Sequence, residues 1–176
     1  MNLNILVVVD MQNGVFATPR FDRPGTTARI NALIAAADRT IFICHEEGGM
    51  QPGTDAWQLL PELQVPPDAL RVNKTACDGF WQTDLAATLQ ALDAREFVIC
   101  GCATDYCVDT TLKAGNSRGY AITVASDAHT TADRTWATAA QLIGQHNEVW
   151  AGLTMPGNPI RVETSDAIIR RWGTGR

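Results

Sequence analysis

Three reactive side chains stand far apart in this chain: Asp10, Lys74 and Cys107. Cys107 follows Gly101-Cys102-Ala103-Thr104-Asp105-Tyr106 and falls in the first turn of a predicted helix. A helix start stabilises a thiolate through its dipole and free N–H groups, which lowers the thiol pKa and makes a nucleophile. The plainer use of such a residue is as a buried, inert cysteine. Asp10 follows five apolar residues directly, Ile5 to Val9. A partly desolvated carboxylate at a strand end has a raised pKa and can serve as a base. Capping or bracing a loop is its ordinary alternative. Lys74 follows Arg71-Val72-Asn73. An ammonium near a thiol favours the thiolate and can bridge it to a carboxylate, whereas a lysine taken singly reads as solvated surface.

Other reactive types carry weaker signals. Cys100 and Cys102 flank Gly101 but form no redox motif, and Cys100 is expected to face the core. His45 and Glu46 are candidates to touch a metal or a substrate. No second His or Cys lies at zinc-like spacing, so no metal is expected there. His146 falls late in a predicted helix and His129 in a predicted loop. The chain has no Gly-x-Ser-x-Gly elbow, no Walker A sequence and no Gly-x-Gly-x-x-Gly turn. Serine hydrolases, P-loop NTPases and dinucleotide oxidoreductases therefore lose their main support.

These residues need elements to hold them. Leu3–Val9 is a near-continuous β-branched run, as expected of a strand covered on both faces. Thr26 or Thr27 is the predicted cap of a helix running to about Asp38, with Ile30, Leu33, Ile34 and Ala37 on its apolar face. Further strands are expected at Thr40–Cys44, Leu70–Asn73, Glu96–Cys100 (ended by Gly101), Tyr120–Ala125 and Ile160–Glu163. Further helices are expected around Leu85, Leu89 and Leu92, over Asp105–Ser117, around Trp136, Ala139, Ala140 and Ile143, and over Ser165–Trp172. Residues 46–69 have no clean period and carry many Gly and Pro residues. A loop that long is usually functional, so the stretch is a candidate lid or subunit interface. Strands alternating with helices imply a parallel sheet with helices on both faces. Ligands then bind beyond the C-terminal ends of the strands, which puts Asp10, Cys44 and His45, Asn73 and Lys74, and Gly101–Cys107 on one rim.

The 176 residues suit one domain spanning 1–176, at roughly 100–200 residues per domain. Hydrophobic residues make up 45% and charged residues 19%, which excludes dominant disorder. With 14 Lys+Arg against 19 Asp+Glu the net charge is −5, so nucleic acid is not an expected partner. No apolar run approaches the about 18 residues of a membrane span, and the first apolar run is too short for a signal peptide. The expected compartment is therefore the cytoplasm. An odd five cysteines argue against a disulfide framework and leave at least one free thiol.

Together, the strand end Asp10-Met11-Gln12, Lys74 followed by Phe80, and Gly101 to Val108 resemble the isochorismatase-like cysteine hydrolases. Nicotinamidases and N-carbamoylsarcosine amidohydrolases belong to the same superfamily. Tyr120 to His129 and Pro52 to Leu63 add to the resemblance, which covers about residues 4–150. It implies an α/β fold, a three-layer α/β/α Rossmann-like sandwich with a six-stranded, mostly parallel sheet. It implies a catalytic triad of Asp10, Lys74 and Cys107, and a cis peptide between Cys102 and Ala103. It implies backbone N–H groups of Ala103 and Cys107 as an oxyanion hole. Gln12, Phe16, His45, Phe80 and Tyr106 are the expected substrate-binding residues, with Trp81 a lesser candidate and Phe16 and Phe80 equally readable as core. Gln12 reads also as a brace for Asp10 or its loop. The Asp-x-His element of metal-binding nicotinamidases is missing, which argues against a metal cofactor. The expected activity is metal-independent hydrolysis of a carbonyl–nitrogen bond in a small molecule. An isochorismatase-type vinyl ether hydrolase, and a non-catalytic binder or thiol sensor on the same fold, are the rivals. The resemblance also implies a homo-oligomer, a dimer or a tetramer.

Overall fold

The structure, a computed structural model, describes residues 3–174. Six strands, β1 (Ile5–Val9), β2 (Arg39–His45), β3 (Leu70–Lys74), β4 (Glu96–Cys102), β5 (Ala121–Thr130) and β6 (Arg161–Glu163), form one sheet. Their order is β3-β2-β1-β4-β5-β6, and every pairing is parallel. Five helices cover it: α1 (Arg23–Ala36), α2 (Leu85–Ala91), α3 (Asp109–Ser117), α4 (Ala139–Ala151) and α5 (Ser165–Thr174). The chain winds outward from β1 to β3, then returns to lay β4 against the other side of β1. A seam between β1 and β4 therefore divides an earlier half-sheet from a later one.

Strand alternation explains the two cores. Leu6 and Val8 of β1 point to one face, where Ile30, Leu33 and Ile34 of α1 meet Ile168 and Trp172 of α5. Ile5, Val7 and Val9 point to the other, with Leu85 and Leu89 of α2, Leu112 of α3 and Trp150 of α4. Each such aliphatic side chain contributes about 1.5–3 kcal/mol on full burial. Both faces of β1 are covered, which is why its sequence is a run and not an alternation.

Several boundaries differ from the sequence reading, each for a local reason. α1 starts earlier than Thr26: the Asp22 side chain accepts from Gly25 N at 3.2 Å, and Pro24 sits in the first turn. Proline suits that position because its missing N–H has no partner there anyway. Thr26 and Thr27 are buried inside the helix instead. β4 does not stop at Gly101 but continues to Cys102. Gly101 has φ +114°, and a Cβ there would lie 2.2 Å from the Val9 carbonyl oxygen. Glycine is thus what lets β4 close against the end of β1. β5 extends past Ala125 to Thr130, so His129 lies in a strand, not a loop. The extension follows a register jump, with Ile99 paired to Val124 but Gly101 to His129. α4 begins at Ala139 behind a Thr138–Gln141 capping box, which leaves Trp136 outside the helix and 95% exposed.

Residues 46–69 are a packed strap. Leu59, Leu60 and Leu63 bury against the α1–α5 core. Backbone bonds from Asn13 N to Gln58 O, Gly14 N to Ala56 O and Leu60 N to Met11 O tie the strap to the loop after β1.

Candidate active site

Asp10, His45 and Lys74 stand at the ends of β1, β2 and β3, and Cys107 in the connection after β4. Asp10 leaves β1 in the left-handed region, φ 48°, with its N–H donating to Ile43 O at 2.9 Å. Asp tolerates that conformation better than most residues. Lys74 pairs in register with His45, so its long side chain reaches past the end of β2. There Nζ lies 2.8 Å from Asp10 Oδ2, 3.2 Å from Cys107 Sγ and 2.8 Å from His45 Nδ1. An ammonium has three N–H donors, and these three acceptors use them all. Lys74 is 2% exposed and Asp10 2%. A buried charge is stable only when paired and hydrogen-bonded in this way.

The network also sets protons. His45 Nδ1 faces a donor, so the neutral ring carries its proton on Nε2, which lies 3.7 Å from Glu47 Oε2. Burial raises the Asp10 carboxyl above its ordinary 3.8, against the lowering effect of Lys74. Burial works to lower Lys74, but the charges of Asp10 and Cys107 outweigh it and raise the ammonium pKa. Burial, then the Asp10 charge, pushes the Cys107 thiol up. This corrects the expectation of a thiolate favoured by a helix start. Cys107 sits in a π-helical turn, Thr104–Val108, that leads into α3, and desolvation beside a carboxylate prevails. Beside the Asp10 carboxyl and the Lys74 amine, the sulfur thus holds its proton more tightly than a free thiol does.

The Cys102–Ala103 peptide is cis. The Ala103 carbonyl accepts from Tyr106 N and Val108 N, both at 3.1 Å. Thr104, buried behind it, is held at 2.7 Å from His129 Nδ1, while His129 Nε2 lies 3.0 Å from Asn147 Oδ1. Asn147 Nδ2 donates to Ser126 O, which fixes the amide and leaves the imidazole as donor from Nε2. Burial lowers the His129 pKa to about 4. This Thr104–His129–Asn147 chain braces the turn that carries Cys107. The sequence reading missed it, because His129 joins the turn only through the extension of β5.

A cleft of about 360 Å³ opens over these groups, with Asp10, His45, Ala103, Tyr106 and Cys107 in its lining. Residues 4–147 match the family described as the Isochorismatase domain. The chain belongs to the isochorismatase family. It is 32% identical over 140 residues to streptothricin hydrolase of Streptomyces noursei, covering 73% of this chain and 50% of that protein. It is 36% identical over 72 residues to ureidoacrylate amidohydrolase of Caulobacter vibrioides, covering 41% of this chain and 32% of that one. The chain thus spans about half the length of the streptothricin hydrolase it matches. A crystal structure of an isochorismatase family protein superposes with TM-score 0.84 at 29% identity, over 92% of this chain and 98% of that one.

In this isochorismatase-family chain the expected site residues divide. Asp10, Lys74, Cys107 and His45 meet, and Tyr106 stands at the cleft mouth, 53% exposed. Gln12 does not face the cleft: it is buried, with Nε2 donating to His45 O and Trp57 O and Oε1 accepting from His45 N at 2.7 Å. It holds the end of β2 instead. Phe16 packs in the α1–α5 core beneath the Arg23 guanidinium. Phe80 packs in the other core, stacked on Tyr120 at 5.6 Å. Neither lines the cleft, and Trp81 is not in its lining either. Cleft-lining residues that the sequence reading did not assign to the site include Val15, Thr18, Arg20, Glu47, Met50, Cys77 and Arg134. Arg134 is held by Asp105, Nε to Oδ2 at 2.8 Å, and lies 4.8 Å over the Tyr106 ring.

Donor atoms of Asp10, His45 and Cys107 lie within 4.8 Å of one another, a spacing that suits a cation. Lys74 Nζ donates to all three. The place a metal ion would take therefore already holds a fixed positive charge, so this donor set does not fit a metal. No helix among the described residues is long and apolar enough to cross a membrane.

Proposed function

We propose that this protein is a cysteine hydrolase that cleaves a carbonyl–nitrogen bond of a small molecule through a thioester and without a metal. The observation that carries the reading is one ammonium, Lys74, hydrogen-bonded to both a buried carboxylate and a cleft-facing thiol. The amidohydrolase and hydrolase names of the two relatives support the same chemistry. Asp10 takes the Cys107 proton as sulfur attacks the carbonyl carbon. The Lys74 ammonium offsets the negative charge passing between them. The backbone N–H groups of Ala103 and Cys107 meet the oxyanion, a contact worth roughly 3–4 kcal/mol per donor. Protonated Asp10 then gives its proton to the leaving nitrogen. The same carboxylate later activates the water that cleaves the thioester.

The raised thiol pKa fits this order of events. A thiol that stays protonated until substrate arrives needs a base close by, and Asp10, with a carboxylate oxygen within 4.8 Å of the sulfur, is that base. Asp10 must be ionised to act, so the acid limb of kcat/KM is expected above the ordinary carboxylate value of 3.8. The test is a screen of small amides, carbamoyl amines and isochorismate against wild type and Cys107→Ala, with and without chelator. Cys107→Ala is expected to lose at least about 1,000-fold in amide hydrolysis, since loss of a nucleophile removes the whole covalent route. Retained activity on a vinyl ether alone would reassign the protein as an isochorismatase. Loss of activity with chelator would overturn the metal-free mechanism.

A further inference from the structure

The five thiols divide by exposure. Cys44, Cys100 and Cys102 are buried, while Cys77 and Cys107 are half-buried. Burial pushes Cys44 up to about 11 and Cys102 up to about 12, and it raises Cys100 as well. A thiol so desolvated yields almost no thiolate at neutral pH and is inert to exchange and oxidation. The two that remain, Cys77 and Cys107, both line the cleft. The proposed hydrolysis uses Cys107 and leaves Cys77 without a part.

Backbone contacts bring the two residues together. Cys77 follows closely on Lys74, whose Nζ donates to Cys107 Sγ at 3.2 Å. The Cys77 carbonyl accepts from Thr111 Oγ1 at 3.2 Å, and the same hydroxyl oxygen accepts from Gly79 N at 2.9 Å. Thr111 stands one turn beyond Cys107 along the same helical run. The bend 75–79 is thus fastened against the turn that carries Cys107. A negative charge on Cys77 raises the Cys107 pKa, so the two groups lie within electrostatic reach of each other. The bend is neither helix nor strand, so its adjustment to bring the sulfurs to bonding distance breaks no ladder.

We propose that Cys77 is a resolving thiol, and that hydrogen peroxide converts Cys77 and Cys107 into a reversible disulfide that switches the site off. The inference rests on the hydrolase reading in one respect, that Asp10 is the base serving Cys107. Asp10 takes the Cys107 proton while sulfur attacks one peroxide oxygen. The S–O bond forms, the O–O bond breaks, and the departing hydroxide takes the proton from Asp10 and leaves as water. Sulfur has then given two electrons to the peroxide and is a sulfenic acid. The Cys77 sulfur attacks it. The S–S bond forms, the S–O bond breaks, and hydroxide leaves with the Cys77 proton as a second water. A dithiol reductant reverses the change. Without Cys77 the sulfenic acid is open to further peroxide and to irreversible sulfinic acid.

The test treats wild type and Cys77→Ser with hydrogen peroxide, blocks the remaining thiols with iodoacetamide, and maps the peptides by mass spectrometry without reduction. Wild type is expected to give a linked Cys77–Cys107 peptide and to lose activity in proportion to the linked fraction. After dithiothreitol, wild type is expected to regain at least about half of its untreated activity, and Cys77→Ser less than about a tenth of its own, with Cys107 held as sulfinic acid. Each protein is compared with its own untreated sample, so any effect of the substitution on catalysis cancels. Should the variant fail to fold, the wild-type peptide map decides alone. No linked peptide in wild type, a link that joins two copies or uses another cysteine, or equal recovery by the variant would overturn the proposal. A Cys77–Cys107 link in a protein that hydrolyses no carbonyl–nitrogen substrate would support it and remove the hydrolase reading. Hydrolysis without the link would do the reverse.

Discussion

Asp10–Lys74 and Asp105–Arg134 each close at 2.8 Å, yet the first pair leaves 3% and 0% of its side chains exposed and the second 12% and 33%. The inner pair sits at the floor of the cleft and the outer pair on its wall. At the floor, burial raises the Asp10 carboxyl despite the neighbouring ammonium. On the wall, burial pushes Asp105 the same way, but hydrogen bonds from Arg134 and Thr131 prevail and hold it below its ordinary value. Similar partners at one distance thus give opposite proton affinities. Water is the difference: it screens the outer charges and is excluded from the inner ones. The inner arrangement primes a carboxylate to accept a proton, and the outer one holds a rim in shape.

The sharpest way to break this contrast is Lys74→Met. It leaves Asp10 buried beside no cation and is expected to cost about 3–5 kcal/mol in urea unfolding. Adding Asp10→Asn should recover much of that stability without activity, because the stranded charge is gone. A cost below that of Arg134→Met would show that the floor is wetter than the geometry implies.

His129 extends the comparison to a buried group with no ionic partner. Its folded pKa of about 4 lies below its ordinary 6.5. The unfolded chain therefore binds the extra proton first as pH falls. Stability that is complete above pH 6.5 is lost between 6.5 and 4, by up to about 3 kcal/mol. Unfolding titrations over that range should show a smaller fall in His129→Gln than in wild type. Equal falls would remove His129 from the account.

The smallest effect belongs to the wall. Arg134→Met is expected to cost about 1 kcal/mol or less, with most of its effect removed by high salt. A larger, salt-independent loss would mean the outer pair is as dry as the inner one.

Much of this contrast was legible before any coordinates. The apolar run of β1 and the stripe Ile30, Leu33, Ile34 specify a two-faced sheet, and the strand-end rule brings Asp10, His45, Lys74 and Cys107 to one rim. What escaped was direction and depth. Phe16 and Phe80 are aromatic whether they line a pocket or a core, so residue type alone did not separate the two. Gln12 sits two residues after Asp10, but its use in clamping His45 depends on a strap that arrives from residues 56–60. The second half of β5, Ser126-Asp127-Ala128-His129-Thr130, is too polar to read as strand. It is satisfied by distant partners such as Thr104 and Ser165, with Ser165 N donating to Asp127 Oδ1 at 2.7 Å. Arg20 and Arg134 belong to no periodic pattern at all.

The seam between β1 and β4 has a kinetic consequence. Asp10 and Lys74 come from the half-sheet made first along the chain, and Cys107 from the half made second. Neither fragment alone can muffle that sulfur, so during refolding its alkylation rate is a clock for the moment the halves dock. Two polypeptides divided between Lys74 and Leu85 would each carry an incomplete constellation, and mixing them would restore it only by re-forming the β1–β4 pairing, from Leu6–Val98 to Val9–Gly101.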